Sequence, residues 1–196
     1  EFHGGEGNDY LYGEDWNENE HGNDELYGNE GDDIIRGEGG DDVIYGGSGN
    51  DNLEGDGPAA TRDNQSGKDT IYGEDGDDTI WGHEGDDLIY GGSGNDQIDG
   101  GSGNDTVIYT GNKNDYLITG NNNNYIVQDL RYNSPDGKDH IWNIEFVRFS
   151  NQDYYVNNDL LKDITAPNAP SSLSTYAAKT SDTSPTISGI AEVGSL

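Results

Sequence analysis

The chain has 196 residues, 40 of them acidic and 9 basic, for a formal net charge of -31 at pH 7, and only 29% of its residues are hydrophobic. So strong a polyanion excludes nucleic acid as a partner, and the absence of cysteine excludes disulfides and thiolate metal sites. No apolar run is long enough to insert in a membrane, and such a composition describes a disordered chain unless a cation neutralises it.

From Gly4 to Ile108 a nine-residue pattern recurs in ten copies, among them GGEGNDYLY from Gly4, GGSGNDNLE from Gly46, GHEGDDLIY from Gly82 and GGSGNDQID from Gly91. The sixth position is always aspartate: Asp9, Asp24, Asp33, Asp42, Asp51, Asp69, Asp78, Asp87, Asp96 and Asp105. The fourth is always glycine: Gly7, Gly22, Gly31, Gly40, Gly49, Gly67, Gly76, Gly85, Gly94 and Gly103. The eighth is always aliphatic: Leu11, Leu26, Ile35, Ile44, Leu53, Ile71, Ile80, Ile89, Ile98 and Val107. Glycine admits the positive φ of a tight turn and lets carbonyls approach an ion, and Asn or Asp at the fifth position tolerates left-handed backbone. Aspartate supplies hard carboxylate oxygens which, with carbonyls, suit calcium rather than a soft metal. The last three residues of each copy predict a short strand whose middle aliphatic points inward and whose neighbours point outward.

Two inserts interrupt the pattern, EDWNENEH over residues 14–21 and DGPAATRDNQS over residues 56–66. The eighteen residues from Gly55 to Tyr72 read as one repeat carrying a loop. Two repeats, the first degenerate, would put Ala60 and Arg62 in the aspartate and aliphatic slots and would shift the edge assignment of every later copy.

These residues resemble the G-G-x-G-x-D-x-U-x nonapeptide of the RTX (repeats-in-toxin) calcium-binding proteins. The resemblance covers residues 4–108 and implies an all-β fold, a right-handed parallel β-roll with two repeats per coil. It implies calcium held between each turn and the turn two repeats on, so that the ten aspartates, together with Gly7, Gly31, Gly40, Gly49, Gly76, Gly85, Gly94 and Gly103, line two metal columns. Ten turns allow about eight bridging ions at most. It also implies an extracellular setting, in a large secreted or cell-surface bacterial protein of the adhesin-like, type I secretion kind. Stacked carboxylates repel and the inward aliphatics make a thin core, so the array is expected to fold only as calcium binds.

The ninth position carries Tyr12, Tyr27, Tyr45, Tyr72, Trp81 and Tyr90. With two repeats per coil, Tyr27, Tyr45, Tyr72 and Tyr90 stack on one outer face at the strand spacing, ending at Ile108. A structural ladder is the favoured reading; the alternative is a face that binds polysaccharide or another cell-surface ligand.

Beyond Val107 the repeat decays, and residues 109–164 read as a non-repetitive C-terminal β-strand cap. TGNKNDYLITGNNNNYIVQDLR predicts two strands around an asparagine-rich turn, and DGKDHIWNIEFVRFSNQDYYV resembles the segment that follows RTX arrays. Trp142, Phe146, Val147 and Phe149 are expected to cover the open end of the roll. For Asp136 and Asp139 a turn role is favoured over a further ion. Residues 165–196 turn to Ala, Pro, Ser and Thr and resemble a linker with the truncated start of a bacterial Ig-like repeat, which implies neighbouring domains.

No catalytic constellation appears. His3, His21, His83 and His140 are scattered and read as solvated, and no metalloprotease helix, nucleophile elbow or phosphate loop occurs. The chain is expected not to be an enzyme. It reads either as a calcium-folded structural module or as a ligand-binding module appended to an extracellular enzyme.

Overall fold

A computed structural model describes residues 1–13, 22–57, 67–150, 152–157 and 160–163, the last two stretches as backbone only. The first insert, most of the second, and the linker and Ig-like segment therefore lie outside the described residues.

Each nonapeptide folds as a glycine-rich turn followed by a strand. The strands are β1 (Phe2–Glu6), β2 (Tyr10–Tyr12), β3 (Glu25–Glu30), β4 (Ile34–Glu38), β5 (Val43–Ser48), β6 (Asn52–Asp56), β7 (Thr70–Asp75), β8 (Thr79–Trp81), β9 (Leu88–Ser93), β10 (Gln97–Asp99) and β11 (Thr106–Ile108). Odd strands pair in parallel in one sheet and even strands in a second. A nine-residue unit carries the chain halfway round a coil, so each strand meets the one two units on. Register follows the aliphatic position: Leu26, Ile44 and Ile71 align in one sheet and Ile35, Leu53 and Ile80 in the other. From Leu26 to Ile98 every one of these aliphatics is completely buried between the sheets. The chain forms a parallel β-roll.

β5 pairs directly with β7 and β6 with β8. The stretch from Gly55 to Tyr72 thus counts as one repeat with a loop, and the edge assignment of the later copies stands.

The cap begins with a 3-10 turn at Lys113–Asp115, then β12 (Tyr116–Asn121) and β13 (Asn124–Asp129), an antiparallel hairpin. Its turn residues Asn122 and Asn123 have φ of 50° and 60°, the left-handed pair that a two-residue hairpin needs and asparagine tolerates. β14 (Lys138–Trp142) then joins β10 in parallel, with Ile141 over Ile98, and β15 (Phe146–Phe149) joins β11 in parallel, with Val147 over Val107. The segment read as non-repetitive therefore first continues the roll by one strand per sheet. Only then do antiparallel strands close the edges: β13 beside β14, and β16 (Gln152–Asn157) with β17 (Leu160–Asp163) beyond β15. Of the four residues expected over the open end, Val147 and Phe149 are buried, while Trp142 and Phe146 are half-buried. Tyr109, Tyr116 and Phe149 pack ring to ring there, with centroids 5.1 to 5.7 Å apart.

Candidate metal centre

The turns stack into two columns, one on each edge of the roll, and glycine is required in them for two separate reasons. At the fourth position Gly49 and Gly76 adopt φ of 136° and 141°, and a Cβ on Gly76 would collide with the carbonyl oxygen of Gly49 in the coil before it. At the first position a Cβ on Gly46 would lie 2.5 Å from Asp51 Oδ2 and 2.7 Å from the carbonyl oxygen of Gly73, one coil further on. The missing side chain leaves a space walled by a carboxylate oxygen and a main-chain carbonyl. The same pair of oxygens recurs beside Gly4, Gly28, Gly37, Gly55, Gly73 and Gly82.

Eight of the ten aspartates, all but Asp9 and Asp24 at the head of each column, use one oxygen in the same way. Oδ1 of Asp33, Asp51, Asp78 and Asp96 accepts a hydrogen bond from the backbone N–H of the preceding aspartate in its column, at 2.8 to 3.0 Å. Asp42, Asp69, Asp87 and Asp105 repeat this on the other edge at 2.7 to 2.9 Å. The structure thus gathers Asp9, Asp33, Asp51, Asp78 and Asp96 on one edge and Asp24, Asp42, Asp69, Asp87 and Asp105 on the other.

The second oxygen is different. Oδ2 of Asp9, Asp33, Asp51, Asp69, Asp78, Asp87, Asp96 and Asp105 is buried and makes no hydrogen bond. A carboxylate in such a place resists ionising, because burial penalises its charge more than the single backbone N–H rewards it. Burial pushes Asp69 up to about 8, Asp78 and Asp87 to about 7, and Asp51, Asp96 and Asp105 to about 6, with neighbouring carboxylates adding to the rise in each. Asp33 is raised for the same first reason. At neutral pH the columns are short of positive charge.

The fifth position does not play the role expected of it. Left-handed backbone falls instead on the second and fourth positions, including the non-glycine Asn29, Glu38, Glu74 and His83 at the second, with φ of 75° to 78°. The fifth-position side chain is a clamp: Asn8, Asp32, Asn50 and Asp77 accept from the backbone N–H of Asp32, Asn50, Asp77 and Asn95 in the next coil, at 2.7 to 3.1 Å. These bonds run opposite to those of the sixth position. Adjacent coils of the array are therefore tied in both directions wherever the fifth residue is Asn or Asp; at Lys68, which cannot accept, the side chain donates to Asp86 instead.

The donor set fits calcium. The spaces beside the first-position glycines are walled by aspartate Oδ2 atoms and main-chain carbonyl oxygens. All the donors are hard oxygens.

Two acidic residues join these columns without belonging to the nonapeptide array. Asp139, for which a turn role was favoured, accepts from Asp96 N–H at 3.0 Å through Oδ1, and burial raises its pKa to about 8. Glu145 accepts from Asp105 N–H at 2.9 Å through Oε2. The spacing of Gly137, Asp139 and Ile141 matches the fourth, sixth and eighth positions and carried the signal. Asp136 is satisfied within the cap, by Thr110 at 2.8 Å and Tyr116 at 2.5 Å, as a turn residue should be.

On the outer face of the odd sheet Tyr27, Tyr45, Tyr72 and Tyr90 stack with centroids 4.5 to 4.9 Å apart and planes within 17°, and His3 extends the ladder below Tyr27 at 4.7 Å. Each inner ring has both faces against its neighbours, so the ladder presents edges and hydroxyls to solvent. Among the described residues the even sheet carries no such ladder. There Arg36 lies 3.0 Å from Glu54, and His83, half-buried rather than solvated, lies 3.6 Å from the other oxygen of Glu54.

No curated protein matches this chain. The sequence profile of the RTX calcium-binding nonapeptide repeat (four copies) matches residues 1–15, 22–53, 65–98, 73–107 and 107–127. Those stretches make up more than half of the chain, and the turns built from them offer the oxygens that a hard divalent cation needs. The chain belongs to the RTX family of calcium-binding nonapeptide-repeat proteins.

Proposed function

We propose that residues 1–108 are a calcium-folded structural module of a large secreted or cell-surface bacterial protein. Asp9, Asp24, Asp33, Asp42, Asp51, Asp69, Asp78, Asp87, Asp96 and Asp105 hold the ions, with carbonyls of the turn glycines. The observation that carries this reading is the row of buried Oδ2 atoms without a hydrogen-bond partner. A buried carboxylate left ionised and unanswered costs several kcal/mol, on the order of the penalty for an unpaired buried charge, and a column of them stays ionised only when a cation sits beside it. Calcium then supplies the missing positive charge, so binding energy becomes folding energy. Because each space is walled by two coils, ions couple neighbours and folding is cooperative along the roll.

RTX proteins are typically secreted, and a module that stays unfolded where calcium is scarce and sets where it is abundant suits export through a narrow channel. Type I secretion and an adhesin-like parent are the form of that setting we favour. The tyrosine ladder supports a structural role over sugar recognition: stacking on a sugar needs a free ring face, and the inner rings have none to offer.

Calcium titration of the chelated chain, followed by circular dichroism, tests this. Strand signal should rise steeply with calcium and vanish again with chelator. Full strand content in chelator at pH 8, where the array aspartates ionise, would sink the proposal.

A further inference from the structure

In a ten-turn array each turn is answered by the turn two repeats on, and the last turn of each edge, at Asp96 and Asp105, has no such successor. Yet these two side chains are 1% and 0% exposed, and Oδ2 of each is buried without a hydrogen bond. The cap supplies the turns that cover them.

Over Asp96 lies the turn Ser134–Asp139. Gly137 takes a left-handed φ of 64° and sits where a Cβ would collide with the carbonyl oxygen of Gly94. Asp139 is 2% exposed, and its Oδ1 accepts from Asp96 N–H. His140 N–H donates to the Asp96 carbonyl at 2.8 Å, the contact that Gln97 makes with Asp78 at 2.9 Å one coil earlier. Over Asp105 the turn is compressed to Asn143, Ile144 and Glu145. A Cβ on Gly100 would meet the Asn143 carbonyl oxygen and lie 2.8 Å from Asp105 Oδ2, the same two kinds of oxygen that flank Gly46. Glutamate carries one methylene more than aspartate, and Glu145 spans the shortened turn to reach Asp105 N–H. Of the two guanidiniums in the cap, Arg131 is engaged by Asp129 at 2.7 Å and Asp136 at 2.9 Å.

We propose that the calcium columns continue one turn beyond the array, onto the cap, with Asp139 closing the column through Asp96 and Glu145 closing the column through Asp105. This rests on the calcium-loaded reading of the array and extends it to two residues outside the nonapeptide repeats. Docking of the cap then waits on calcium as the coils do, and the end of the roll is locked by the same ions that build it.

Anomalous scattering from crystals of the unmodified chain grown with terbium decides the matter without any substitution. Peaks are expected along both aspartate columns and also between Asp96 and Asp139 and between Asp105 and Glu145. Peaks in the array with none at either cap turn overturn this inference and leave the array reading standing, whereas no peaks anywhere overturn both. Native mass spectrometry of the calcium-loaded protein gives a second readout: Asp139→Asn and Glu145→Gln should each carry one ion fewer than the parent, and unchanged counts overturn the assignment.

Discussion

Asp87 and Asp129 are both almost completely buried, at 2% and 3% exposure, yet the molecule answers their charge in opposite ways. Burial pushes Asp129 up, but the Arg131 guanidinium and backbone N–H groups outweigh it and hold the carboxyl below the usual carboxylate range. Asp87 has only a backbone N–H and is driven up to about 7. The cap brings its own cation; the array leaves the position to one from solution. With 9 basic residues against 40 acidic ones the chain has few cations of its own to offer, and the calcium dependence proposed above rests on that shortage.

The largest effect that separates the two regions is the pH dependence of the calcium-free chain. The array aspartates have folded pKa values raised above the unfolded value near 3.8. They bind more protons folded than unfolded, and their contribution is fully present below about pH 4 and lost as pH rises through about 6 to 8. Asp129 has the opposite sign: its contribution is present above pH 4 and lost as pH falls through its lowered folded pKa. In chelator, strand content by circular dichroism should therefore grow as pH drops from 8 toward 4.5. A flat or falling profile over that window breaks the comparison.

Substitutions at calcium saturation come next. Arg131→Ala leaves Asp129 buried without its guanidinium and should cost about 3 kcal/mol in denaturant unfolding, while the number of bound ions stays the same. Asp87→Ala strips the acceptor from Asp69 N–H and should cost about 1–3 kcal/mol while lowering the ion count. Equal ion counts in the two variants would erase the distinction between an internal and an external cation.

The smallest effect concerns backbone. Glu74 is exposed and holds φ of 75° at a second position where other repeats carry glycine. Left-handed backbone costs a side-chain-bearing residue roughly 1–2 kcal/mol, partly offset by the greater freedom of glycine in the unfolded chain. Glu74→Gly should therefore stabilise the loaded roll by about 0.5–1 kcal/mol, read as a higher melting temperature, and a lower one contradicts it.

Much of the roll was legible because its period is strict. Ten aspartates and ten aliphatics recur without substitution, and nothing but a coil of stacked turns puts them all in equivalent places. The tyrosines at every second ninth position announced their ladder for the same reason. The fifth position misled because residue type gives no direction: asparagine is equally compatible with a left-handed backbone and with accepting a bond from the next coil. The cap turns were harder to read: at Asp139 the sequence admits an ion but favours a turn role, and Glu145 gives no signal. Asp139 stands 43 residues from Asp96 along the chain, beyond a hairpin excursion, and its turn opens on Ser134 and Pro135 instead of two glycines. Glu145 sits in a turn whose compression destroys the nine-residue count altogether.

The partners in the aspartate columns are 18 residues apart along regular stretches but 24, 27 and 43 apart elsewhere, and the same hydrogen bond forms each time. Stacking is indifferent to how much chain is spent between one coil and the next, so long as a turn and its aliphatic arrive together. An architecture with that property can be lengthened by duplication and decorated by insertion without renegotiating what is already built. Its history is free to accumulate cargo on the edges while the interior keeps a fixed meter.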